Sequence, residues 1–169
     1  MDKKLYVFWG SVPKNFDLKK WEGVHFFESE LFWPEVTQTL RESNIEVNGG
    51  LPIHPDEIEK KLLDFGEKLY VHHAFPACIY TYSDVVIELI RLVSLKAFLK
   101  DCYSVVFPFP KEIRFVVPDA LDPDFYDNVD MDQYTTLTNR PKGFCDKVSN
   151  IIDEISDYSQ KLKEKIGTE

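Results

Sequence analysis

Val85 to Leu99 is apolar on nearly every side of a helix, and no other stretch limits the fold as strongly. A segment of this kind lies either in a bilayer or inside a core. Glu88, Arg91 and Lys96 interrupt it, and such charges are costly against lipid. It is also shorter than the ~20 residues that a bilayer needs. The expectation is a core helix, with Ser83 as its N-cap and Asp84 in its first turn. The rest of the chain must supply the elements that cover it.

At 169 residues, 44% hydrophobic and 14% aromatic, the chain is long enough to bury a core as one domain spanning 1–169. No internal repeat or low-complexity linker divides it. Leu5 to Trp9 reads as a buried strand, and Gly10 and Pro13 end it too early for a signal-peptide core. Asp17 can cap a helical turn through Trp21, and Val24 to Glu28 reads as a second strand. Pro34 suits a first helical position, with Val36 and Leu40 on a helix that ends near Asn44. Ile45 to Val47 is a short strand candidate before the Asn48-Gly49-Gly50 turn.

Ile58, Leu62, Phe65 and Leu69 recur at spacings of four, three and four behind Pro55, a helical period. Gly66 falls inside that pattern, where it costs roughly 1 kcal/mol relative to Ala. Tyr103 to Phe107 and Ile113 to Val117 are strand candidates joined through Pro108-Phe109-Pro110, and 118–143 reads as irregular. Phe144, Val148, Ile151, Ile155, Tyr158, Leu162 and Ile166 then recur at spacings of three and four. Docking of this last stripe on the body is expected. The fold class is α+β: a small mixed or antiparallel sheet packed by three main helices, with a long C-terminal amphipathic helix.

Residues with reactive side chains are present, but not in recognisable sets. Cys78, Cys102 and Cys145 are sparse, odd in number and without a C-x-x-C pair. They suit buried thiols in a reduced compartment, so the cytoplasm is the expected address. His72 and His73 lack the i, i+4 spacing that chelates a metal on a helix, and adjacent residues on a strand face opposite ways. No G-x-S-x-G elbow or phosphate-cradling glycine loop occurs. Glu28 with Glu30 and Glu57 with Glu59 read as solvated pairs. No metal and no cofactor is expected. An enzyme of this chain would be a small hydrolase or transferase with its site around His72, His73 and Cys78.

Charge is distributed more tellingly. The net charge is −9, which disfavours nucleic acid and anionic membrane, since affinity for phosphates rests on Lys and Arg. Six aspartates fall within fourteen residues: Asp119, Asp122, Asp124, Asp127, Asp130 and Asp132, with no basic residue among them. Leu121, Phe125, Tyr126, Val129 and Met131 interleave with the acids, an apolar content that purely solvating segments lack. A calcium loop is disfavoured: counting from Asp122, the fifth position is Tyr126 and the sixth is not glycine.

The pattern suits an acidic contact surface, with Phe125 and Tyr126 as anchors and the aspartates as steering charge. The expected function is an acidic protein-binding module, an inhibitor or immunity-type protein that occludes the active site of a basic, nuclease-like toxin. A non-catalytic subunit using an exposed face of the last helix is a further alternative.

Overall fold

The computed structural model describes residues 4–166 apart from 15, 18–22, 53, 73–75, 105, 106, 120, 123, 133–136, 138–143 and 145. Its centre is a six-stranded sheet of β1 (Leu5–Trp9), β2 (His25–Phe27), β3 (Val47–Gly49), β4 (Ala77–Thr81), β5 (Ile113–Pro118) and β6 (Tyr126–Asp130). The strands lie in the order β3-β2-β4-β1-β5-β6. Five are mutually parallel, and only β6 runs antiparallel, against β5. Four helices accompany the sheet: α1 (Pro34–Glu42), α2 (Pro55–His72), α3 (Asp84–Cys102) and α4 (Asp146–Ile166). This is an α+β fold on a mixed sheet, and the antiparallel alternative is set aside.

Alternation along the strands sorts the apolar residues into two layers. Leu5, Val7, Ala77, Ile79, Ile113, Phe115 and Val117 share one core with the inner stripes of α2 and α3. Phe8, Cys78, Tyr80, Phe27 and Val116 face the other way, under Trp33 and Leu40 of the α1 side. Each large aliphatic or phenyl side chain so buried contributes about 1.5–3 kcal/mol. Four of them on α2, Ile58, Leu62, Phe65 and Leu69, easily outweigh the helix cost of Gly66.

Gly66 has its own reason. A Cβ there would sit 2.3 Å from the Pro108 carbonyl oxygen and 2.8 Å from Cδ2 of Phe109. The residues after α3 lie directly on the helix at this point, and only a bare backbone fits. Gly66→Ala is therefore expected to destabilise the protein, because overpacking costs about 1–3 kcal/mol against a helix-propensity gain of roughly 1 kcal/mol. A chemical-denaturation midpoint that rises in this variant would show that the 108–109 backbone yields freely.

The structure corrects several expectations. The central strand β4 is absent from the reading of the sequence. All five of its residues are buried, so it has no polar alternation by which to be recognised. The strand expected over Tyr103 to Phe107 is not formed: Tyr103 caps α3 and Ser104 takes a positive φ of 55°, with 105 and 106 outside the described residues. The short strand near Ile45 lies two residues later, at β3. The expected turn from Asp17 to Trp21 falls mostly outside the described residues.

Within the stretch expected to be irregular, 126–130 is strand β6, and Val129 is fully buried. The α3 helix is covered on one side only, since Leu92, Leu95 and Leu99 remain exposed. Cys102 at its end is exposed rather than buried, and Cys145 lies outside the described residues. The expectation of a long C-terminal amphipathic helix docked by its apolar stripe is not supported, and the side chains of Val148 and Ile151 lie outside those described. Phe144 is buried ahead of α4, whereas Ile155, Tyr158, Leu162 and Ile166 are exposed. No helix among the described residues is long and apolar enough to cross a membrane.

Candidate functional site

Within the acidic segment, 126–130 form the edge strand of the sheet, and described residues before it form a turn. Oδ1 of Asp119 accepts the backbone N–H of Leu121 at 2.7 Å and of Asp122 at 3.3 Å. Oδ1 of Asp122 accepts the N–H of Asp124 at 3.1 Å. Backbone bonds from Asp119 N–H to the Phe125 carbonyl and from Phe125 N–H to the Asp122 carbonyl close the turn. Aspartate is suited to this work because its short carboxylate mimics a backbone turn. The turn then leads into β6, which pairs with β5 from Pro118↔Tyr126 to Arg114↔Asp130.

The expected site residues therefore divide. Asp119 and Asp122 shape the turn, although both remain exposed, and Asp124 is half-buried. Asp130 is engaged by Arg114, whose Nε and Nη2 donate to its two oxygens at 2.8 and 3.2 Å. That guanidinium holds the Asp130 carboxyl below the usual aspartate range. Asp127 and Asp132 are exposed. Phe125 is 62% exposed, but Tyr126 is half-buried with its ring 5.6 Å from that of Phe16. Tyr126 is thus a packing residue. Leu121, at 97% exposed, takes its place beside Phe125 as the second apolar group offered to solvent.

The histidine–cysteine set is not assembled. Cys78 faces the α1 side of the sheet, among Phe8, Phe27 and Tyr80. His72 ends α2, the helix packed on the opposite face, so the sheet lies between them; His73 lies outside the described residues. Burial pushes the Cys78 thiol far above its ordinary range, the reverse of an activated thiolate. Its neighbour Tyr80 is raised for the same reason, and the Tyr80 hydroxyl lies 2.7 Å from Nδ1 of buried His25. These three groups satisfy one another inside the core. Among the described residues, no three His, Cys, Asp or Glu side chains are grouped to hold a metal ion.

A second feature escaped the sequence reading because it is built from three strand ends. After β1 and β2 the chain passes to the α1 face, with Val12, Phe16 and Trp33 packed there. After β4 it passes to the other face as α3. In open sheets of parallel strands, ligands tend to bind at the carboxyl ends where chains part in this way. There Oε2 of Glu28 accepts Thr81 Oγ1–H at 3.0 Å and Tyr82 N–H at 2.8 Å. Trp33 donates its Nε1–H to the Gly10 carbonyl, Trp9 donates to Asp84, and the Trp33 and Tyr82 rings stack at 4.7 Å.

Glu28 and Glu30 are consequently separate devices, since Glu30 pairs with Arg41. The available signal was an aromatic strand ending in an acid, Phe26-Phe27-Glu28, which resembles any amphipathic strand end.

A cleft of about 520 Å³ opens between α2 and the β2–β3 edge, over Val24, Phe26, Phe65 and Leu69. Lys61, Asp64, Glu67, Lys68 and His72 rim it. No Ser, Thr or Cys lines it beside His72 among the described residues. Comparison with protein-family models, with curated proteins and with solved structures yields no match to this chain.

Proposed function

We propose that the protein is a non-catalytic binding module of inhibitor or immunity type, acting in the cytoplasm, that docks a basic protein partner through β6 and the turn before it. The observation that carries this reading is preorganisation. Aspartate side chains hold the turn that presents Leu121 and Phe125, so little loop entropy is lost on binding. Exposed Asp122, Asp127 and Asp132 lie on the same segment as those two apolar groups, combining steering charge with a hydrophobic contact. A basic active site covered by this edge would meet carboxylates in place of substrate phosphates.

The test begins with capture of basic proteins from the source cell, followed by stopped-flow binding to the captured partner. Asp122→Asn with Asp127→Asn removes charge while Asn at 122 keeps an oxygen for the turn. Association is expected to slow and to lose much of its salt dependence. Leu121→Ala with Phe125→Ala is expected to speed dissociation, with a loss of about 2 kcal/mol or more if the pair is a hot spot. Rates unchanged in both variants would move the contact to another surface.

The parting of the chain at the carboxyl ends favours a second reading, a small-ligand site beside Glu28. A flat heterocycle could stack on Tyr82, which is 51% exposed, and donate an N–H to the Glu28 carboxylate. Saturation-transfer NMR with a set of heterocycles tests it. Binding that disappears in Tyr82→Ala supports this site, and an absence of signal across the set removes it.

A further inference from the structure

We propose that α4 pairs antiparallel with the α4 of a second copy of this chain. Ile155, Tyr158, Leu162 and Ile166 lie on α4 with between 58% and 69% of their surface in solvent. Within proteins a helix such as this one, of 21 residues, draws most of its stability from packing an amphipathic face. In the sequence, 148, 151, 155, 158 and 162 alternate at three and four residues, the a and d positions of a heptad.

Charge selects the occupant and its direction. Residues 146–157 carry a net charge of −3, and 158–166 carry +2. Parallel pairing would set each half against its like, whereas antiparallel pairing sets each against its opposite. The same register places Glu154 and Lys161 at successive g positions. In an antiparallel pair, g meets g, so position 154 of one copy faces position 161 of the other, twice by the two-fold symmetry. The layers between would match Ile155 with Tyr158, twice by the same symmetry.

The α3 helix also exposes an apolar stripe, at Leu92, Leu95 and Leu99. The charges beside it are already engaged, Arg91 with Glu88 and Lys96 with Glu59. Its halves carry only −1 over 84–92 and +1 over 93–102, a weaker split than that of α4.

Sedimentation equilibrium of the full chain across micromolar concentrations tests the pairing. The expected mass is twice the 19.8 kDa of the chain. Leu162→Glu should return it to the monomer value while leaving the near-ultraviolet circular dichroism of the body unchanged. Leu95→Glu should leave the dimer intact. Lys161→Glu should dissociate it by opposing two acids, and adding Glu154→Lys to that variant should restore it. A monomer at every concentration, a dimer that survives Leu162→Glu, or one lost in Leu95→Glu would overturn the proposal. A charge exchange that fails to restore the dimer would overturn the antiparallel register.

Discussion

Gly23→Ala is expected to be among the most damaging single substitutions in this chain. A Cβ on Gly23 would lie 1.5 Å from the Pro76 carbonyl oxygen and 2.6 Å from its carbon. Neither atom belongs to a flexible side chain, so relief requires moving backbone. The place is also critical, because one residue later the Val24 carbonyl accepts the Cys78 N–H at 2.9 Å. That bond begins the pairing of β2 with β4, in the middle of the sheet. Separating the two strands here would strain the ladder from His25↔Cys78 to Phe27↔Tyr80. The loss should lie at or beyond the top of the ~1–3 kcal/mol range for overpacking. Urea unfolding of the variant measures it, and a midpoint equal to that of the parent would show that Gly23 has room.

The second large effect is expected at Tyr80. Its ring is fully buried and sandwiched, with Phe8 at 4.9 Å and 8° on one side and Phe27 at 4.1 Å and 2° on the other. Removing a buried aromatic ring costs about 3–5 kcal/mol, and the lost stacking contacts add to transfer. Tyr80→Ala should therefore approach the whole stability of a domain this size, typically about 5–15 kcal/mol. Tyr80→Phe separates the contributions: it keeps the stack and leaves His25 Nδ1 without the hydroxyl at 2.7 Å. An unsatisfied buried polar group costs about 1–3 kcal/mol. Thermal unfolding of the two variants should rank them in that order; equal losses would mean that the hydrogen bond, rather than the ring, holds this layer together.

Both sites show where the information resides. The α2 helix is legible along the chain because one of its faces is wet. Its period of four, three and four falls between Pro55 and His72, and each apolar position found by that period is buried. The strand β1 is legible because Gly10 and Pro13 end a short aromatic run. Such signals depend on neighbours within one or two turns, and the sequence by itself determined these elements and the net charge of −9.

The strand β4 has no wet face, so its residues carry no period to read, and a cysteine within it invited a chemical reading instead. Gly23 and Gly66 look like weak points in the chain and prove to be contact points, against Pro76 and Pro108. Asp130 looks like one acid among six until β5 brings Arg114 beside it. The aspartate segment was legible as charge, but which acids shape the turn and which aromatic faces water was decided by the pairing of β6. The joining of Glu28 to Thr81 and Tyr82 spans more than fifty residues. Contacts of that separation are set by strand order, which only the tertiary structure decides, because side chains far apart in the chain meet only after the sheet has closed.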